Sequence, residues 1–225
     1  MSFEQILQLM IDSFTKLLIP GLTMTIPLTI ISFSLAMVIA VICALLQYAE
    51  VPVAKQIIRF YVWIIRGTPL LVQLYIGFFG LNSIGVKISP FAAAILVFSL
   101  NEGAYCTETM RGALVSVPKG QFEAGYCVGM SYVQIMWHVV LPQAFRTAFP
   151  SLGNSLISML KDTSLVSNIT VAEMFMAAQR IAGRTYQAMA LYIEVALIYL
   201  LFSTALTWLQ AWGEKKLDYY SGDKR

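Results

Sequence analysis

Apolar residues along this chain fall into long blocks separated by short polar breaks, and the blocks predict membrane-crossing helices. Five of them, at about 20–46, 57–80, 90–110, 150–170 and 188–212, approach the length of roughly 20 residues that spans a bilayer's hydrocarbon core. An odd number of crossings puts the two termini on opposite sides. The segment before the first block has a different period. Phe3, Ile6, Leu7, Met10, Ile11 and Phe14 recur at helical spacing, with Glu4, Gln5, Gln8, Asp12 and Lys16 opposite. That pattern predicts an N-terminal interfacial helix on the outer surface or a helix packed on the flank of the bundle.

Composition agrees with a membrane solvent. Hydrophobic residues make up 58% of the chain and charged residues 12%, with a mean hydropathy of +0.72, outside the range of soluble domains. No repeat, low-complexity tract or long linker divides the sequence, so residues 1–225 are expected to form one transmembrane domain. Glu4 and Asp12 in the first turns and the length of the following apolar run speak against a cleavable signal.

Lysine and arginine mark the cytoplasmic side. With the C-terminus inside, inner segments hold Lys55, Arg59, Arg111, Lys119, Arg146, Lys215, Lys216, Lys224 and Arg225, against Lys16, Lys87, Arg180 and Arg184 outside. The expectation is N-out and C-in, and the net charge of +3 is then mostly inner-side bias without the basic cluster a nucleic-acid partner needs. Cys43, Cys106 and Cys127 are too scattered for a metal box and are read as small buried fillers.

Between the third and fourth blocks lies a polar stretch of about 111–149. Pro118-Lys119-Gly120 breaks the third helix, Gln121 to Tyr126 starts a short one, Gly129-Met130-Ser131 ends it, and a second helix runs from about Tyr132 to Pro142. From the residues alone this is either a docking surface for a soluble partner, with small residues at Ala124, Gly125 and Gly129, or an amphipathic connector.

Ionisable residues at membrane depth are the other informative group, since each costs at least about 2.5–3.5 kcal/mol to insert. At ~1.5 Å per residue, Glu102 lies roughly 18 Å along the third helix from Pro90, and Asp162 at a comparable fraction of the fourth. Either carboxylate can face a substrate ammonium in an aqueous cavity, or pair with Arg66 or Lys161 to lock the bundle. Asn154, Ser158 and Asp162 share a helix face, and Thr163 and Ser164 either bond substrate or back-bond to their own helix. Glu108 and Arg111 read as a local ion pair. His138, the only histidine, lies in the polar loop and leaves a proton relay or metal site nothing to build from. No Gly-rich Lys-Ser/Thr phosphate loop is present, so the chain is not expected to hydrolyse ATP itself.

The segment Glu123-Ala124-Gly125, Gly129, Val139, Leu141-Pro142 resembles the cytoplasmic loop signature of ATP-binding cassette importer permeases: Glu-Ala-Ala, three residues, Gly, nine residues, Ile, one residue, Leu-Pro. It departs at Gly125 and Val139. Arg66-Gly67-Thr68-Pro69-Leu70, Asn101-Glu102-Gly103-Ala104-Tyr105, Arg111-Gly112-Ala113, Gly120-Gln121 and Lys161-Asp162-Thr163-Ser164-Leu165 are similar to polar amino-acid permeases of the histidine/glutamine/cystine type.

The resemblance implies an all-α integral membrane fold of five transmembrane helices, the type I importer permease fold, with a cytoplasmic coupling helix. It implies a non-catalytic subunit of a bacterial plasma (inner) membrane importer. Two permease subunits, identical or sister chains, line one path, an ATPase dimer that binds ATP and Mg docks below, and an extracytoplasmic binding protein delivers the amino acid. The coupling roles fall on Glu123, Ala124, Gly125 and Gly129, and the substrate-pathway candidates are Glu102, Asn154, Ser158, Asp162 and Ser164. No cofactor or metal is expected on this chain. The stretches 154–165 and 179–186 look most like cystine permeases, with arginine, glutamine or histidine as further substrates. The rival readings are a secondary transporter, for which the two halves lack the inverted repeat, and a structural membrane subunit without ATPase coupling.

Overall fold

The computed structural model describes residues 3–219; Lys224 and Arg225 of the charge count lie outside the described residues. Every regular element among them is helical. Helix α1 (Phe3–Pro20) passes through one wider π-type turn at Gly21–Thr25 into α2 (Ile26–Tyr48). Then come α3 (Pro52–Arg66), α4 (Leu70–Tyr75), the short α5 (Leu81–Ser83), and α6 (Pro90–Ser116). The loop helices are α7 (Gly120–Cys127) and α8 (Tyr132–Ile135), followed by α9 (Leu141–Asp162), α10 (Met174–Thr185) and α11 (Ala188–Tyr219).

By length and apolarity, two helical stretches suffice to cross a membrane, Glu4–Tyr48 and Ala188–Leu217. The pair α3 and α4–α5 passes together but is bent by 104°. Helices α6 and α9 are long, yet carry Glu102, Glu108 and Arg111, and Arg146, Lys161 and Asp162, which lower their apolarity. Charge of this kind is retained where a helix faces a cavity instead of lipid.

Helix α6 is the centre of the bundle and packs on α2, α3, α4 and α9. Its main seam is with α2. Leu28, Ser32, Ala36, Ala40 and Ala44 recur every four residues on α2, and all are buried. Such a stripe brings two backbones close, which matters because apolar lipid supplies no hydrophobic force between helices and close dispersion contact must hold the pair. Its Ala40 and Ala44 share one buried cluster with Cys106, Met110, Ala113 and Leu114 of α6, Ile135 of α8, Val140 and Ala144.

The N-terminal amphipathic segment packs on the flank of the bundle, but through Ser13 and Leu17 and not through its predicted apolar face, on which Leu7, Ile11 and Phe14 stay exposed. α1 lies on α10 and α11, Leu17 is buried in a cluster with Met174, Val195 and Ile198, and Ser13 Oγ donates to Glu194 Oε2 at 2.6 Å. The segment runs into the first span without a break, so it is not a separate surface helix.

Two boundaries differ from the sequence expectation. The second loop helix does not stop at Pro142, because a π-type turn at Met136–Val140 widens the ladder just before the proline, and the chain continues into α9. At its other end α9 stops at Asp162 and tightens to a 3₁₀ helix over Thr163–Ile169, closed by Thr170 at φ +68°. Of the three cysteines expected as buried fillers, Cys106 is buried, Cys43 half-buried and Cys127 exposed on the loop.

Candidate functional site

The 104° break between α3 and α4 is held by one side chain. Gly67-Thr68-Pro69 stops the helix because proline disfavours an α conformation at the residue before it. Gln73 then spans the gap. Its Nε2 donates to Ile65 O at 2.8 Å, Thr68 O at 3.1 Å and Thr68 Oγ1 at 2.8 Å, and its Oε1 accepts from Asn101 Nδ2 of α6 at 2.9 Å. The break is thereby tied to the central helix, and Arg66 is left at its edge with its guanidinium 5.2 Å from the centre of the Tyr105 ring.

Beside it a cavity of about 660 Å³ opens between α3, α6 and α9. α6 contributes Glu102, Tyr105 and Thr109, and α9 contributes Ser151, Ser155, Ser158 and Asp162, each set at helical spacing. Three carboxylates (Glu102, Glu108, Asp162), one guanidinium (Arg66), and the hydroxyl and amide groups of Thr68, Asn101, Asn154 and the serines line it. Glu102 and Asp162 both line the space, and Cys106 Sγ donates to Glu102 Oε1 at 3.5 Å. Glu108 is bound by Arg111 at 2.8 Å. The remaining two carboxylates can take ammonium groups, the Arg66 guanidinium can take a carboxylate, and the amides and hydroxyls offer bonds to either.

Of the sequence candidates, Glu102, Asn154, Ser158 and Asp162 come together in this cavity. Ser164 does not. Its Oγ donates back to Lys161 O at 2.9 Å, and it faces a separate recess with Lys161 and Tyr199, because two residues after Asp162 it stands about 200° around the helix, off the α9 stripe. Sequence reasoning missed Gln73, Asn101, Tyr105 and Ser155 as parts of the site. The signal for three of them was present: Tyr105 is three residues after Glu102, Asn101 adjoins it, and Ser155 is one turn before Ser158.

Beyond the C-terminal end of α6, the loop forms a compact knob. Gly129 at φ +80° ends α7 with paired bonds, Gly129 N to Tyr126 O and Met130 N to Gly125 O, both 3.0 Å, a Schellman arrangement. Ser131 and Gln134 then cap α8 reciprocally. Phe122 stacks between Tyr48 and Tyr132, with ring centres 6.5 and 6.1 Å away, and Gln143 Nε2 donates to Gln121 Oε1. Glu123 and Ala124 are exposed, among exposed Tyr126, Val128, Val133 and Trp137. Gly125 is not part of that outer surface: it is buried, and a Cβ there would lie 2.6 Å from Ile135 Cγ1.

Residues 36–219 match the family described as binding-protein-dependent transport system inner membrane component. The chain belongs to that family. It is 46% identical over 210 residues to the L-cystine transport system permease protein TcyB of Bacillus subtilis, covering 93% of this chain and 90% of the relative. It is 34% identical over 195 residues to the glutamine transport system permease protein GlnP of Escherichia coli, covering 86% and 89%. A crystal structure described as an amino acid ABC transporter with histidines superposes with a TM-score of 0.84 at 34% identity, over 92% of this chain and 97% of that one. The inward-facing MetNI methionine transporter shares the fold, with a TM-score of 0.73 at 19% identity. The chain is thus a non-catalytic, all-α permease subunit of the type I importer fold, and hydrolysis of ATP falls to a partner ATPase.

Proposed function

We propose that the chain is one half of the translocation path of an ATP-driven importer for a polar amino acid, with L-cystine the favoured substrate. The observation that carries this reading is the cavity that Glu102, inside α6, and Asp162, at the end of α9, line together with Arg66 and several hydroxyls. An amino acid presents an ammonium and a carboxylate on one carbon, and a cystine presents two of each. Two carboxylates with a guanidinium fit that charge pattern, and the volume lies within the range of small-molecule sites. The 46% identity to a cystine permease supports the same substrate; arginine, glutamine and histidine are the alternatives.

The topology that goes with this reading has five crossings in one domain, with the N-terminus outside and the C-terminus cytoplasmic, in a bacterial plasma membrane. A second permease subunit, identical or a sister chain, closes the open side of the cavity. An extracytoplasmic binding protein delivers the amino acid, and a cytoplasmic ATPase dimer carrying ATP and Mg grips the loop through Glu123, Ala124 and the exposed residues around them. Gly125 and Gly129 act behind that surface, the first by letting α7 seat on Ile135 and the second by ending α7 rigidly. A knob fixed by a Schellman end, a capping box and a stack of three rings transmits displacement instead of flexing.

The test is purification of the tagged chain from its native membrane, with mass spectrometry of whatever stays bound. A stoichiometric ATPase, retained by wild type and lost on Glu123→Lys while membrane insertion is intact, is the expected result. Recovery of the chain alone would favour a secondary transporter or a structural subunit, and ATPase retention unaffected by the substitution would remove Glu123 from the contact.

A further inference from the structure

A second cavity, of about 800 Å³, opens on the side of the bundle that carries α7, between α2, α3 and α6. Its charge is opposite to that of the first. Lys55, Arg59, Arg66, Arg111 and Lys119 line it against only Glu50 and Glu108. Both carboxylates are engaged, Glu50 with Lys55 and Glu108 with Arg111, each at 2.8 Å. Among the described residues Arg59 and Lys119 have no ion-pair partner, so these two cations face the space unneutralised, while Arg66, stacked on Tyr105, is shared with the first cavity.

One neutral group points the same way. Gln47 lines this cavity and is only 7% exposed, yet its amide nitrogen is buried without a hydrogen-bond partner among the described residues. A buried donor left unpaired is costly and uncommon in folded proteins. An anion bearing several acceptor oxygens would satisfy Gln47 and the two free cations together.

We propose that this cavity binds a phosphate-type oxyanion, and that in the membrane the group is the headgroup phosphate of an anionic phospholipid. Helix α3 has the form for it. Lys55, Arg59 and Arg66 follow one stripe into the cavity, while Val53, Ile57, Phe60 and Ile64 are exposed along the rest of the helix. Trp63, 70% exposed, stands at the junction, where an indole suits the boundary between headgroup and acyl chain. A lipid seated there would lay its tails on the apolar side and its phosphate among the cations, the arrangement by which basic pockets between membrane helices hold anionic headgroups. Free inorganic phosphate offers the same oxygens without the tails. The proposal needs the chain to lie in a membrane and does not depend on which solute it carries.

Native mass spectrometry of the purified, delipidated complex tests it, with phosphatidylglycerol, phosphatidylcholine or inorganic phosphate added back to wild type, Arg59→Gln/Lys119→Gln and Gln47→Leu. Wild type is expected to retain phosphatidylglycerol well above phosphatidylcholine. The double variant should lose about 30-fold in that retention, the ratio that two phosphate-facing cations at ~1 kcal/mol each correspond to. Gln47→Leu should lose several-fold with no drop in thermal midpoint, which separates a ligand contact from a folding role and serves if the double variant does not fold. Retention of phosphatidylglycerol that survives excess inorganic phosphate assigns the lipid as the source. Saturable phosphate binding that displaces the lipid and is lost in the same variants assigns a free anion to the same site. Equal retention of phosphatidylglycerol by wild type and all variants, or equal retention of phosphatidylcholine by wild type, overturns the proposal.

Discussion

Gly125 is where the loop signature departs from its usual alanine, and Gly125→Ala should weaken the loop even though alanine is the better helix former. An added Cβ would sit 2.6 Å from Ile135 Cγ1 and 2.8 Å from Ile135 Cδ1. Ile135 is fully buried and β-branched, so its χ1 is stiff and the side chain has nowhere to swing. Helix α7 must therefore lift off α8. Overpacking of this kind costs about 1–3 kcal/mol, against a gain of roughly 0.5–1 kcal/mol for replacing glycine inside a helix, which leaves a net loss of about 1 kcal/mol. Ile135→Ala alone should cost about 2–5 kcal/mol through the cavity it opens. The double variant should cost less than the sum by about 1 kcal/mol or more, because the new methyl enters the space that isoleucine vacated. Thermal unfolding of the four proteins in nanodiscs gives the cycle, and hydrogen exchange over residues 120–135 localises it. Stabilisation by Gly125→Ala, or additivity within about 0.3 kcal/mol, would refute the packing account of this glycine.

Replacing Glu102 by glutamine should slow substrate-stimulated ATP hydrolysis of the assembled transporter about 10- to 100-fold, the worth of one charged hydrogen bond, with assembly unchanged; wild-type kinetics would make Glu102 a packing residue. Gln73→Leu strips partners from Asn101 and the Ile65 and Thr68 groups at the α3–α4 break, so a loss of about 2–4 kcal/mol in unfolding experiments is expected from the unpaired groups, and an unchanged midpoint would show the break is held by other contacts. In the segment between α9 and α11, Glu173 is fully buried and caps α10 by accepting from Phe175 N and Met176 N, both 2.7 Å, and from Tyr199 Oη at 3.0 Å. Burial outweighs those three donors and pushes its carboxyl up from 4.5 to about 7. The folded chain then holds a proton that the unfolded chain has released, so stability should fall as pH rises from about 4.5 to 7, by up to about 3 kcal/mol. A Glu173→Gln variant with the same pH slope as wild type would contradict this.

Part of the candidate site was readable from charge at membrane depth on two helices and from helical spacing on the fourth block. Glu102 and Asp162 came from charge at membrane depth, Asn154 and Ser158 from sharing a helix face with Asp162, and the loop helix ending at Gly129 from the glycine past its last turn. What the pattern could not carry was geometry created by local departures from the α-helix. The run through Pro142 depends on a π-type turn whose sequence has no distinct signature, whereas Ser164, two residues after Asp162, already falls off the stripe by helical spacing. Gln73 was invisible because its role lies across a 104° bend, where residues distant in the helical period become neighbours. Gly125 looked like an outer-surface residue, and only its contact with Ile135, ten positions away, shows that it faces inward.

The most direct test of the central claim is uptake of labelled L-cystine into proteoliposomes holding this chain with its co-purified ATPase and binding protein, with and without ATP. The account predicts ATP-dependent accumulation that unlabelled cystine competes away, and that Glu102→Gln depresses while ATPase retention stays intact. Accumulation of no amino acid under ATP, or uptake driven equally well by an ion gradient without ATP, would contradict it.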